Sequence, residues 1–257
     1  MTVENREIHM PSPQTPIKEF EEISQMKVVR SANELLMLQE SVERALNVDS
    51  AKNAMKHYDA YRFDHRLSSF HLKRAKSWPH ISRIEDEKRT YAYVYEKYRY
   101  AQLYYNSQVL IGILEDISST VLNSKSIIRN SNVRTGKDLH GVCVIYPPAE
   151  LLRSGIDELI SFLQYKTTKS VAAVAVIATY LLALHPFSDG NGRVMRILTN
   201  LTLERSPATY IPFSELNALS RGGYGIRCRI AAFSNNWSEI IYYYSHLFLA
   251  VELDRVR

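Results

Sequence analysis

Apolar and polar positions along this chain alternate mostly with a helical period. Leu35, Leu36, Leu38 and Val42 share one face behind a capping box formed by Ser31 and Glu34, which predicts a helix start at Ser31. Apolar residues then recur from Ala51 to about Ala75 with no glycine or proline among them, and Trp78-Pro79 ends that stretch. From Ile84 to about Ile117 proline is again absent. Tyr91, Tyr95, Tyr98, Leu103, Val109, Leu110, Ile113 and Leu114 return there at near-helical spacing, and the tyrosines read as packing residues. Residues Val171 to Leu184 are apolar at almost every position, the pattern of a helix buried on all sides.

Further helices are predicted over Ala149 to Gln164, from near Gly192, and from Trp237 to Leu253. One β-branched run, His140 to Tyr146 closed by Pro147-Pro148, reads as a strand or small hairpin. The prolines at 11, 13 and 16 sit among polar neighbours, and residues 1–25 are expected to form a flexible tail. The fold class is mainly α.

Composition narrows this picture a little. With 46% hydrophobic and 23% charged residues, the chain can bury a full core without disulfides or a structural metal. Cys143 and Cys228 form no CxxC pair and have no zinc-finger spacing, which favours a reducing compartment. The apolar run 171–184 falls short of the roughly 18 to 20 residues a membrane-spanning helix needs, so no membrane partner is expected. The first residues lack a basic stretch followed by an apolar one. Synthesis in the cytoplasm is therefore expected, with later export or delivery into a host cell left open. The net charge of +5 suits nucleic acid, an acidic protein or a nucleoside triphosphate equally. The short basic run Lys73, Arg74 and Lys76 reads as solvated surface, and no nucleic-acid partner is expected.

The segment His185-Pro-Phe-Ser-Asp-Gly-Asn-Gly-Arg-Val-Met-Arg196 stands apart. Gly190 and Gly192 around Asn191 permit positive φ and close backbone approach, so successive N–H groups can form an anion nest at a helix start. Arg193 and Arg196 fall on neighbouring positions of that helix, where cations oppose the helix dipole and call for a compensating anion. Asp189 offers the hard oxygen that Mg²⁺ takes, and His185 can accept a proton from an attacking hydroxyl. Phe187 is expected to turn inward and anchor the loop. Together these groups describe phosphoryl or nucleotidyl transfer.

The same segment resembles the signature of the Fic family, HPFx[D/E]GNGRxxR, with every specified position filled. The resemblance covers roughly residues 95–245 and implies a helical core with a small β-hairpin flap. It leaves 26–94 as an additional N-terminal helical region and 246–257 as the end of a C-terminal helix. The implied activity is transfer of AMP from Mg²⁺-ATP to a serine, threonine or tyrosine hydroxyl of another protein. His185 would be the base and Asp189 the Mg²⁺ ligand; Gly190, Asn191, Gly192, Arg193 and Arg196 would bind phosphates. Tyr224 resembles a family tyrosine near the adenine pocket, and Gly141, Val142, Cys143, Val144 and Ile145 resemble the flap that docks the target.

Many family members carry an inhibitory helix, [S/T]xxxE[G/N], whose glutamate pairs with the second signature arginine. Ile81-Ser-Arg-Ile-Glu-Asp86 is similar to its SSRIEG form but has Ile81 and Asp86 at two specified positions. Glu85 is then either a degenerate brake or an acid favoured in the first turn of a helix; on the second reading the chain is unrestrained or held by a separate inhibitory protein. Relatives with altered signatures transfer phosphate, phosphocholine or another nucleotide, and a non-catalytic binding module is the reading from a different class.

Overall fold

The computed structural model describes residues 6–16, 81–136, 142–164, 171–214, 217 and 223–256, with the backbone alone at 6, 81–85, 142, 246 and 249–256. The helices predicted from Ser31 and over 51–75 lie outside the described residues, as do His140 and Gly141. In chain order the elements are β1 (Arg6–His9), α1 (Ile81–Tyr98), α2 (Ser107–Leu122), β2 (Val142–Ile145), α3 (Leu152–Gln164), α4 (Val171–Leu184), α5 (Asn191–Thr202), α6 (Gly223–Ser234) and α7 (Ser238–Val256). The fold is mainly α-helical.

The helix with the most uniform apolar sequence takes the central place. All of α4 except Leu182 is buried, and it packs against α3, α5, α6 and α7. Gly155 of α3 permits one close approach: a Cβ at that position would stand 2.8 Å from Leu184 Cδ1, the last residue of α4. α5 lies between α4 and α2 and also meets α1. Its amphipathic sequence places Val194, Met195, Ile197, Leu198 and Leu201 in the core.

The continuous helical pattern over 84–117 resolves into two helices. α1 ends at Tyr98, and Asn106 caps α2, its Oδ1 accepting from Val109 N at 2.8 Å. An asparagine that satisfies an orphan N–H competes effectively with helix continuation. Two of the three expected boundaries, 94/95 and 245/246, fall inside helices, since α1 and α7 run through them; the third, 25/26, lies outside the described residues.

The N-terminal residues also depart from expectation. Arg6–His9 is a strand rather than loose tail, parallel to β2 in the register Arg6↔Val142 to His9↔Ile145. Its continuation is held by Met10 N to Ile145 O at 2.7 Å and Thr15 N to Glu158 Oε1 at 3.0 Å. An edge strand with unpaired backbone groups accepts such an addition, and Glu7 adds an ion pair to Arg134 at 3.6 Å. On the other side of β2, Thr135 N donates to Val144 O at 2.9 Å and Tyr146 N to Val133 O at 3.1 Å. That antiparallel contact, with a bridge at Arg134↔Ile145, outlines the expected hairpin.

Candidate active site

α4 ends in the conformation its last residues impose. His185 follows Leu184 with φ +55°, a left-handed stop, and Pro186 has no N–H with which to extend the helix. The His185 N–H still bonds Leu181 O at 3.0 Å. Phe187 then turns inward and is fully buried. Asn191 closes the loop behind it, accepting Phe187 N at 3.0 Å and donating to Phe187 O at 2.7 Å. The Asn191 side chain is thus committed to the loop, and only its backbone faces the helix end.

Gly190, with φ +77°, turns the chain into α5. An L side chain there would be strained, and its Cβ would also lie 3.4 Å from Leu122 Cδ2. The first intrahelical bond runs from Val194 N to Gly190 O at 3.0 Å, which leaves the N–H groups of Asn191, Gly192 and Arg193 at the open end of the helix. Asp189 is mostly exposed; its Oδ1 accepts Gly190 N at 2.6 Å and its Oδ2 stands 3.8 Å from Arg193 Nη2. No cluster of three or more metal-ligating side chains occurs among the described residues. A single carboxylate with one oxygen facing solvent fits a hard cation that takes its other ligands from phosphate and water.

Burial favours the neutral form of His185. Its Nδ1–H donates to Leu182 O at 3.3 Å, which assigns the proton to Nδ1 and the lone pair to Nε2. Tyr146, just beyond β2, stacks on the imidazole with centroids 3.6 Å apart and planes 11° from parallel. Burial pushes the His185 pKa down to about 4; the Leu182 carbonyl works against that, the Arg129 charge adds to it, and Asp189 weakly offsets it.

The two arginines of α5 have different surroundings. Arg193 is 41% exposed and leans toward the carbonyl end of α2, with Nη1 3.4 Å from Val121 O. Arg196 is gripped by Glu87 of α1: Nε lies 3.1 Å from both carboxylate oxygens and Nη2 2.6 Å from Oε2. Tyr210 donates its hydroxyl to the same carboxylate. Glu87 is only 8% exposed. Glu85 lies on α1, but its side chain is outside the described residues.

Among the described side chains, the carboxylate on the second signature arginine is that of Glu87, a residue the motif comparison passes over. The signal for it is its phase: Glu87, Tyr91 and Val94 follow i, i+4, i+7 and all three are buried. An acid in line with a core stripe calls for a cation opposite it.

Tyr224, on α6, packs against Tyr243 and Tyr244 with centroids at 5.5 and 6.3 Å. Burial raises the Tyr224 and Tyr244 hydroxyls well above the ordinary tyrosine range, while the charge of Arg196 acts on Tyr244 in the opposite direction. Val144 and Ile145 of β2 are half-buried and Cys143 is buried, beside the stack on His185. The sequence-predicted residues 185–196 thus converge on one end of α5, and β2 meets them through Tyr146.

Comparison with known proteins agrees with this arrangement. The Fic/DOC family profile matches residues 104–203. Protein adenylyltransferase fic-1 of Caenorhabditis elegans is 29% identical over 112 residues, 42% of this chain and 22% of the relative. A Fido domain-containing protein of Dictyostelium discoideum is 36% identical over 83 residues, 31% of this chain and 58% of that protein. The match spans about a fifth of the nematode relative's length. A crystal structure of a Fic family protein from Desulfovibrio desulfuricans superimposes with a TM-score of 0.56 at 15% identity, covering 90% of this chain and 76% of that one. The signature loop lies within residues 104–203, the segment of this chain that matches the Fic/DOC family.

Proposed function

We propose that the chain is a protein adenylyltransferase that moves AMP from ATP to a hydroxyl side chain of another protein. The observation that carries this reading is the placement of a neutral imidazole, with Nε2 free of hydrogen bonds among the described residues, beside the open N–H groups of α5. The target oxygen forms a bond to the α-phosphorus as its proton passes to His185 Nε2. The bond from the α-phosphorus to the bridging oxygen breaks, and pyrophosphate leaves. Backbone N–H groups of 191–193 and the Arg193 guanidinium hold phosphate oxygens, and positioning with charge neutralisation supplies most of the rate. Asp189 is the residue that would hold Mg²⁺, which neutralises phosphate charge when bound. Tyr224 would border the adenine.

The remaining phosphate ligand in this reading is Arg196, now held by Glu87. Glu87 takes the place on the guanidinium that a γ-phosphate would occupy, so it acts as an internal brake. The edge of β2 is the proposed dock for an extended target segment, and β1 holds that edge in this structure.

The test is incubation of the purified chain and of His185→Ala with Mg²⁺ and ATP labelled at the α- or the γ-phosphate, following label on the chain and on lysate proteins. Label from the α position alone, lost in the variant while ATP binding stays within about twofold, is expected. Label from the γ position would replace adenylyl transfer with phosphoryl transfer. Full transfer by His185→Ala would remove His185 as the base.

A further inference from the structure

Arg129 lies in the segment between α2 and β2, outside the signature, and is 6% exposed. Its guanidinium has no carboxylate within ion-pair distance among the described residues; Glu150 acts on it only at longer range. Every hydrogen bond it makes goes to a backbone carbonyl: Nε to His185 O at 2.8 Å, Nη1 to Ser131 O at 2.9 Å, Nη2 to Pro147 O at 2.6 Å and to Leu184 O at 3.4 Å. The Arg129 N–H adds a bond to Pro186 O at 2.9 Å.

Burying a cation without a counter-ion is costly, and an aliphatic side chain would fill the same space without that cost. What the guanidinium adds is a rigid fork that reaches two chain segments at once. Those segments are Pro147, next to Tyr146, and Leu184 to Pro186, which carries His185.

The imidazole needs such support. Its one hydrogen bond among the described residues, to Leu182 O, is long at 3.3 Å and holds the ring only loosely about its last torsion. The face-to-face contact with Tyr146 limits that rotation, and the contact exists only while the end of β2 and the end of α4 stay in register. We propose that Arg129 is a positioning residue that clamps the Tyr146–His185 stack and so keeps Nε2 aimed into the site. What His185 does there rests on the transferase reading; that Arg129 holds it does not.

The test therefore reads the ring directly as well as the reaction. In proton spectra of the full chain, the ring current of Tyr146 should displace a His185 ring resonance upfield, the resonance being assigned by its loss in His185→Gln. Tyr146→Leu should abolish the displacement. Arg129→Lys, which keeps the charge but not the fork, should reduce it by about half or more, with label transfer down about tenfold or more and ATP affinity within about twofold. Arg129→Met should do the same more completely, and if that variant fails to fold, the lysine variant and Tyr146→Leu still decide.

A His185 resonance unchanged in folded Arg129→Lys and Arg129→Met would overturn the proposal, leaving Arg129 a packing residue. So would an unchanged resonance in Tyr146→Leu. A wild-type chain that transfers no label yet shows the displaced resonance, collapsing in the variants, would sustain the clamp and remove the transferase reading instead.

Discussion

At the scale of single residues, the site works through environment more than identity. Burial holds His185 at about 4, against an ordinary histidine near 6.5, so the neutral form persists from neutral pH down to about 4. The acid limb of kcat/KM, which reports the free protein, is expected near that value. Phosphate charge beside the ring favours the protonated form, so the limb of kcat should lie at higher pH. A rate profile on an identified target checks both, and a kcat/KM limb near 6.5 would mean that the ring is solvated. The same depression has a consequence for stability. Below about 6.5 the unfolded chain takes up the His185 proton while the native one does not, so this contribution is lost as pH falls from 6.5 toward 4. The inward turn of Phe187 was legible, because an aromatic between a helix-ending proline and a polar loop gains most by burial. Asn191 was legible as a member of the site but not in its role, since its amide turns back onto Phe187 once the loop closes.

At the scale of elements, two contacts made from outside the signature enter the proposed control of the site. α1 places Glu87 on Arg196 of α5, and Tyr91 of the same face packs on Tyr210 at 4.9 Å. Glu87→Gln should weaken the hold on Arg196, raising ATP affinity and self-labelling several-fold, because a neutral amide competes poorly with phosphate for a guanidinium. Removing one partner of a largely buried ion pair should also lower stability, by about 1–3 kcal/mol given the partial exposure of Arg196. Unfolding and labelling measured on the same sample separate the two effects; lowered stability with no gain in labelling would make the pair structural only.

β1 on β2 is the second contact, and under the docking proposal it covers the edge a target would use. Glu7 stands opposite Cys143 in the ladder, so Glu7→Cys with oxidation should lock the strand in place. The locked chain should bind ATP normally but label targets about tenfold less or worse, and reduction should restore it. Equal labelling in both redox states would take the β2 edge out of target docking. The phase of Glu87 with Tyr91 and Val94 marked it as a buried acid without naming its partner, whereas the β1 pairing was not legible, since it joins strands more than a hundred positions apart and its short polar sequence carries no period.

At the scale of the whole molecule, the site is a junction. α4 ends there, α5 begins there, α1 and α2 flank α5, and β2 meets it through Tyr146. A ligand that binds only this assembled junction must stabilise the whole native state. ATP with Mg²⁺ at about a hundred times its dissociation constant should add about 2.7 kcal/mol to unfolding, seen as a raised Tm. At a fixed ATP concentration the rise should be larger in Glu87→Gln than in wild type, and its absence in both would argue against nucleotide as the ligand. The helical class, the buried helix 171–184 and the turn at Gly190 follow from local chemistry: an apolar run without polar breaks must be buried, and glycine supplies the positive φ from which α5 starts. Which carboxylate meets Arg196, what holds His185 in place and what covers the edge of β2 depend instead on residues brought together across the fold. Those pairings arise from packing and backbone satisfaction between distant segments, and the local pattern of the chain does not name the partners.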